Sequence, residues 1–236
     1  MLLTYKTILS KKSQLNSDTY LYHFDLLEPK EINFEAGQYL IINILTDKGS
    51  VSRLYSIASS AAEKNSFELI IQIIPGGLAS SYLSNLKVKD EIIFQGPAGM
   101  FGLKENDRQK IFLTTGTGIA PVKSMLESCP FPVTSYRLFW GLKTYRDVYL
   151  LDELKQFNLK ICLSREKNLD IIPMGDKKYF ELGHVDSCFN QYIENWKLKI
   201  ENFDYYLCGR RQIVESLRQF LIAKNVPKEN IYFEKF

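Results

Sequence analysis

The sequence predicts two domains of different class: an antiparallel Greek-key β-barrel over residues 1–105, then an α/β domain on a parallel, Rossmann-like sheet over residues 106–236. Two changes of rhythm along the chain lead to this division. Up to about residue 100, short runs rich in Ile, Val, Leu, Tyr and Phe are separated by turn residues, the pattern of an all-β barrel or sandwich. Beyond the polar stretch around residues 103–109, apolar strands alternate with helical segments, which implies a parallel sheet covered on both faces.

In the first half the strands are "TYKTILS", "TYLYHFDLL", "QYLIINIL", "SRLYSIAS", "FELIIQII" and "DEIIFQG". Pro29, Gly37, Asp47-Lys48-Gly49, Asn65 and Pro75-Gly76-Gly77 punctuate them, and one helical insert, "GLASSYLSNL", precedes the last strand. In the second half "KIFLTTG" is a strand and "IAPVKSMLES" a helix with Pro121 in its first turn. The strand "SYRLFWG" follows, then the helix "DVYLLDELKQF" and the strand "LKICLS". "HVDSCFNQYIENW" reads as a helix, "DYYLCG" as a strand, "RQIVESLRQFLIAKN" as a long helix and "NIYFEKF" as a closing strand. The segment "REKNLDIIPMGDKKYFELG" fits neither period and is expected to be an irregular surface loop.

Composition narrows the function. A net charge of +3, from 30 basic and 27 acidic residues, is too balanced to argue for nucleic acid or an anionic membrane. The longest apolar runs, such as "YLIINIL", have strand length, so no membrane span is expected, and the N-terminus does not read as a signal peptide. The four cysteines, Cys129, Cys162, Cys188 and Cys208, form no C-x-x-C pair, which leaves no familiar zinc or iron–sulfur spacing and no metal site. With no signal peptide read at the N-terminus, the chain is expected in the reducing cytoplasm with free thiols. His23 and His184 stand far apart and read as surface or structural residues.

Three stretches carry chemistry. In "RLYS", residues 53–56, a guanidinium and a phenol point to one face of a strand, and Leu54 and Ser56 to the other. Such a strand faces water or lines a site for a large, flat, charged ligand. In "PGGLASSYL", Gly76 and Gly77 lead into a helix start with Ser80 and Ser81, an anion-binding arrangement that a plain capped turn also produces. In "TTGTGIAP", Gly116 and Gly118 let the backbone turn tightly between a strand and a helix. The third glycine of the dinucleotide fingerprint is missing, and no acid ends the second strand, "LFWGLK".

Taken in order, these stretches resemble the ferredoxin–NADP reductase superfamily along nearly the whole chain. "RLYS" is similar to the family's flavin motif, "GGLASSYL" to its flavin-diphosphate turn, and "GPAGMF" to the end of its flavin domain. "TGTGIAP", "SRE", "YYLCG" and "IYFEKF" are similar to its nucleotide-domain motifs, and the "FEKF" ending is most like reductase components of oxygenases. The resemblance implies a flavoenzyme in which NAD(P)H reduces bound FAD. Arg53 would pair with the flavin diphosphate, Tyr55 would pack on the isoalloxazine, Ser56 would sit near N5, and Leu54 would be a further cofactor-binding residue. Ile71 and Gln72 would border the flavin, and Gly77, Leu78, Ala79 and Ser80 would bind its diphosphate. Thr117 and Gly118 would hold the nicotinamide nucleotide, and Ser164 and Arg165 would read its adenosine end. Cys208 and Gly209 would lie beside the nicotinamide, Arg211 near the nucleotide, and Glu234 and Phe236 near the flavin. The catalytic set is Ser56, Cys208 and Glu234.

Two stretches depart from the family pattern. Gln72 and Ile73 stand where relatives often carry a basic residue, and Arg210-Arg211 where many have a proline or small pair. Arginines opening a helix oppose its dipole, which suggests an anionic partner, although two solvated arginines read the same way. If the loops after the third and fourth strands converge, Arg165, Arg210 and Arg211 could together grip the extra phosphate of NADPH. Clustered iron–sulfur cysteines are absent from this sequence, so the expected acceptor is a separate ferredoxin or other iron–sulfur protein. A small-molecule flavin acceptor, or a non-catalytic flavin- or nucleotide-binding subunit, are the other readings.

Overall fold

The computed structural model describes residues 2–236 except 48, 130, 131, 133, 134, 197 and 198. Lys48 of the expected Asp47–Gly49 turn thus lies outside the described residues. By its internal contacts the chain divides into two compact units, Met1–Leu103 with Ala120–Cys129, and Lys104–Ile119 with Pro130–Phe236.

The first unit is an antiparallel sheet of β1 (Leu3–Gln14), β2 (Thr19–Glu28), β3 (Tyr39–Thr46), β4 (Gly49–Ser56), β5 (Ser66–Gln72) and β6 (Glu91–Ala98), with α1 (Leu78–Asn85) between β5 and β6. Its strand order is β4-β3-β6-β1-β2-β5. Neighbouring hairpins combine with two longer crossings, β2 to β3 and β5 to β6, which is the Greek-key arrangement. The sheet curls until its two edges touch at a bridge, Ile57 opposite Leu69, beside a hydrogen bond from Ala58 N to Glu68 O at 2.8 Å. Alternation drives the curl: β6 buries every second residue through Gly96, and Phe24, Phe67 and Phe94 meet inside with ring centroids 5.0–5.4 Å apart. One irregularity matters below. Between Leu9 and Lys11 of β1 the pairing with β2 slips by a residue, a β-bulge. The helix α2 (Ile119–Ser128) clusters with this unit, where its buried Lys123 pairs with Glu68 at 3.4 Å and Glu127 at 2.8 Å.

The second unit is a parallel sheet of β7 (Gln109–Thr115), β8 (Tyr136–Leu142), β9 (Leu159–Leu163), β10 (Phe180–Leu182), β11 (Phe203–Gly209) and β12 (Ile231–Lys235). The order is β10-β9-β8-β7-β11-β12, so successive strands run one way from β7 and then the other way from β11. The helices are α3 (Leu151–Leu154), α4 (Val185–Trp196) and α5 (Arg211–Ala223). Val185, Cys188, Phe189 and Ile193 of α4 and Val214, Leu217 and Leu221 of α5 bury their stripes with β11, all seven of whose residues are buried.

Two elements differ from the sequence reading. The helix expected over residues 147–157 shrinks to Leu151–Leu154, because Thr144 and Asp147 cap a separate 3₁₀ turn and Leu150 takes a left-handed φ of 52°. The segment expected to be irregular contains β10, whose Phe180 pairs with Ile161; three residues are too short for any period to show.

Candidate functional site

In the first unit the register of β4 on β3 sets the faces. Arg53 lies opposite Ile42 and Tyr55 opposite Leu40, both core residues, so Arg53 and Tyr55 share the inner face of the curl. Tyr55 is half-buried against the barrel core, and burial pushes its phenol up to about 12 while the Arg53 charge pulls the other way; it is a neutral donor at ordinary pH. Arg53 is exposed, and its Nη1 donates to Ser52 O at 2.9 Å, which leaves the rest of the fork available. Leu54, 55% exposed, and Ser56 point the other way, opposite Ile41 and Tyr39.

The turn before α1 has the features of an anion cradle. Gly76 adopts φ +75°, and Gly77 caps α1 with no side-chain hydrogen bond. A Cβ at Gly77 would stand 3.2 Å from Ile74 O, and no acidic residue occupies the first turn of α1 to repel a phosphate. Leu78 is exposed, Ala79 is buried, and Ser80 Oγ accepts from Ile74 N at 2.8 Å, which braces the turn and leaves its proton to give. Ile71 puts its side chain in the barrel core, so only its backbone is offered to a ligand. Gln72 Nε2 donates to Asp18 Oδ2 at 2.8 Å.

In the second unit the reversal of strand order falls between β7 and β11, and the carboxyl ends of the strands at such a switch point form a ligand crevice. Here Thr115 at the end of β7 and Gly118 after it lie against Cys208 and Gly209 at the end of β11, with Thr117 in the 3₁₀ turn between Gly116 and Gly118. Thr114 Oγ1 donates to Cys208 O at 3.1 Å and holds the two strand ends together. The approach is so close that a Cβ on Gly118 would collide with the Cys208 carbonyl, and one on Gly209 (φ +145°) with Thr115 Oγ1. Thr115 Oγ1 is itself buried without a hydrogen-bond partner among the described residues, a donor waiting at the glycine turn.

Cys208 is fully buried, and burial, with the nearby Glu234 charge, raises its thiol pKa well above the ordinary value. Glu234 stands beside it in register on β12. The backbone of Phe236 closes this edge: its N–H donates to Gly209 O at 3.3 Å and its carbonyl accepts from Arg211 N at 3.1 Å, while its ring is 57% exposed. Arg210 and Arg211 open α5 exposed, with no acid in the first turn and no side-chain cap.

Ser164 Oγ donates to Leu142 O at 3.2 Å, and Arg165 N donates to Lys143 O at 2.8 Å, with the Arg165 side chain exposed. These two lie at the end of β9. The strands β8 and β7 lie between β9 and β11, so the loops carrying Arg165 and the Arg210–Arg211 pair do not follow adjacent strands. Chain order alone, which makes these two the third and fourth strands of the sequence reading, does not reveal that β11 lies on the far side of β7.

Sequence reasoning missed two residues that fix the glycine turn. Trp140 Nε1 and Tyr149 OH both donate to Gly116 O, at 2.9 and 3.3 Å, and their rings meet edge-on at 4.8 Å. Their only signal was an aromatic at the end of the second strand, which packing explains equally well.

Comparisons with known proteins bear on both units. Residues 6–102 match the oxidoreductase FAD-binding domain family and residues 112–219 the oxidoreductase NAD-binding domain family. The chain is 31% identical over 235 residues to the toluate 1,2-dioxygenase electron transfer component of Pseudomonas putida, covering 98% of this chain and 67% of that one. The chain belongs to the ferredoxin reductase family. Its 27% identity to the anthranilate 1,2-dioxygenase electron transfer component of Acinetobacter baylyi again covers 98% of this chain but 66% of the relative. The chain thus spans about two thirds of the length of these relatives. Its fold superimposes on the crystal structure of Amycolatopsis cytochrome P450 reductase with a TM-score of 0.83 at 24% identity, over 100% of this chain and 70% of the other. As a family member it is an oxidoreductase with FAD as cofactor and NAD(P)H as substrate. Among the described residues no helix is long and apolar enough to cross a membrane.

Proposed function

We propose that the chain carries electrons from NAD(P)H through FAD to a separate ferredoxin or other iron–sulfur protein, with residues 1–105 holding the FAD and residues 106–236 the nucleotide. The observation that carries this reading is the switch-point crevice: two glycines that admit no Cβ, beside a buried Thr115 hydroxyl with no partner among the described residues. FAD, when bound, accepts a hydride and releases its electrons singly, which is what a one-electron acceptor requires. The protein's work is placement and electrostatics. Arg53 and the α1 turn bind the diphosphate by forked and backbone hydrogen bonds, Tyr55 supports the ring system, and Ser56 hydrogen-bonds near N5. Thr115, Thr117 and Gly118 receive the nucleotide, Cys208 and Gly209 border the nicotinamide, and Glu234 and Phe236 lie near the flavin.

The relatives' names as dioxygenase electron transfer components support an oxygenase-linked acceptor. Cys162, Cys188 and Cys208 are buried thiols rather than disulfides, which supports a cytoplasmic setting. Purified FAD-loaded protein with NAD(P)H should reduce a plant-type or Rieske-type ferredoxin faster than free flavin; the opposite order would favour the small-acceptor reading.

A further inference from the structure

We propose that Lys12 is a positioning residue for the flavin diphosphate: its ammonium grips the C-terminal end of α1 and so fixes the helix whose first turn receives the phosphates. The proposal rests on the FAD reading above. It begins with the bulge in β1. Up to Leu9 the odd-numbered residues Tyr5, Thr7 and Leu9 point inward. The extra residue at the bulge reverses the parity, so that Lys11 pairs with His23 on the outer face and Lys12 pairs with Tyr22, which is fully buried. A side chain that simple alternation would send to water is thereby turned under α1.

There its Nζ donates to three carbonyls at the end of the helix, Ser84 O at 2.7 Å, Leu86 O at 3.1 Å and Leu83 O at 3.3 Å. Tyr22 OH adds a fourth hydrogen bond, to Leu83 O at 3.0 Å. The ammonium also lies 5.6 and 5.3 Å from the ring centroids of Tyr20 and Tyr22. The last turn of α1 carries no basic residue of its own, so Lys12 supplies from another strand the cation that the negative helix end favours.

The helix needs such a grip. It is eight residues long, and only Ala79, Ser80 and Leu83 are buried. A helix this short has little stability of its own, and one left loose would have to be ordered each time the diphosphate bound. Lys12 and Tyr22 hold the far end so that the Gly77 end is already in place.

The test measures FAD and riboflavin binding to the apo form of the whole chain by quenching of flavin fluorescence. Riboflavin has no phosphate and does not use the α1 turn. Lys12→Met should weaken FAD about tenfold, leave riboflavin unchanged, and be rescued by Lys12→Arg. Equal loss for both flavins, or undiminished FAD affinity, would overturn the proposal. Should Lys12→Met not fold, Tyr22→Phe removes one hydrogen bond from the same grip and should weaken FAD about threefold with riboflavin unchanged; no change there overturns it as well. A wild-type chain that binds no FAD defeats the FAD reading itself, whereas FAD binding that is indifferent to Lys12 defeats only the clamp.

Discussion

Arg53 and Cys208 mark the two ends of what single residues show. Arg53 sits on the inner face of an edge strand with an exposed fork. Arg53→Ala should cost FAD binding about 2–3 kcal/mol, roughly 30- to 150-fold in affinity, measured by flavin retention on gel filtration and by titration. Cys208 is buried with its thiol pKa raised, so it stays protonated at neutral pH and acts by fit, not as a thiolate. Cys208→Ser should keep FAD and slow its reduction by NAD(P)H up to about a hundredfold. The wild-type rate should show no thiolate inflection between about pH 6 and 9, the range an ordinary cysteine titrates. An inflection there that the serine variant lacks would contradict this. Arg53 and Tyr55 stand out in the sequence as a guanidinium and a phenol on one face of a β-branched strand, whereas Cys208 is singled out only by the family resemblance. Lys12, Thr115 and Trp140 are marked by neither: one depends on a bulge, the others on which strands adjoin.

At the scale of elements, most strands and helices could be read from their periods, and the failures were the short ones, β10 and α3. The β7 and β11 starts show what a period cannot reveal. Asp204 is fully buried on β11, where Arg108 Nε pairs with it at 3.1 Å and Lys110 Nζ at 3.9 Å, and Asn106 Nδ2 donates to it at 2.9 Å. This cluster lies at the strand ends opposite the crevice and locks the two strands whose other ends form it. Asp204→Asn leaves two cations, one of them buried, without their carboxylate and should cost about 3–5 kcal/mol, read as a lower urea midpoint. Riboflavin and FAD binding by the first unit should be unaffected below that midpoint.

Across the whole molecule, the order of motifs identified the family where no single motif did, since barrel and parallel sheet each serve many functions. The choice of nucleotide turns on Arg165 at the end of β9, now that topology separates it from the Arg210-Arg211 pair. We expect a preference for NADPH. Arg165→Ala should raise the Michaelis constant for NADPH and spare that for NADH, because only NADPH carries the phosphate a guanidinium would hold. Equal wild-type rates with both nucleotides would remove that role and leave Arg210 and Arg211, exposed beside Phe236, as a docking surface whose electron transfer slows with salt. The central claim is tested by one experiment. Purified protein loaded with FAD is mixed anaerobically with one equivalent of NADPH or NADH while the flavin absorbance is followed. The account predicts rapid and complete bleaching; a folded protein that cannot be loaded with FAD, or a bound flavin that stays yellow with both nucleotides, would contradict it.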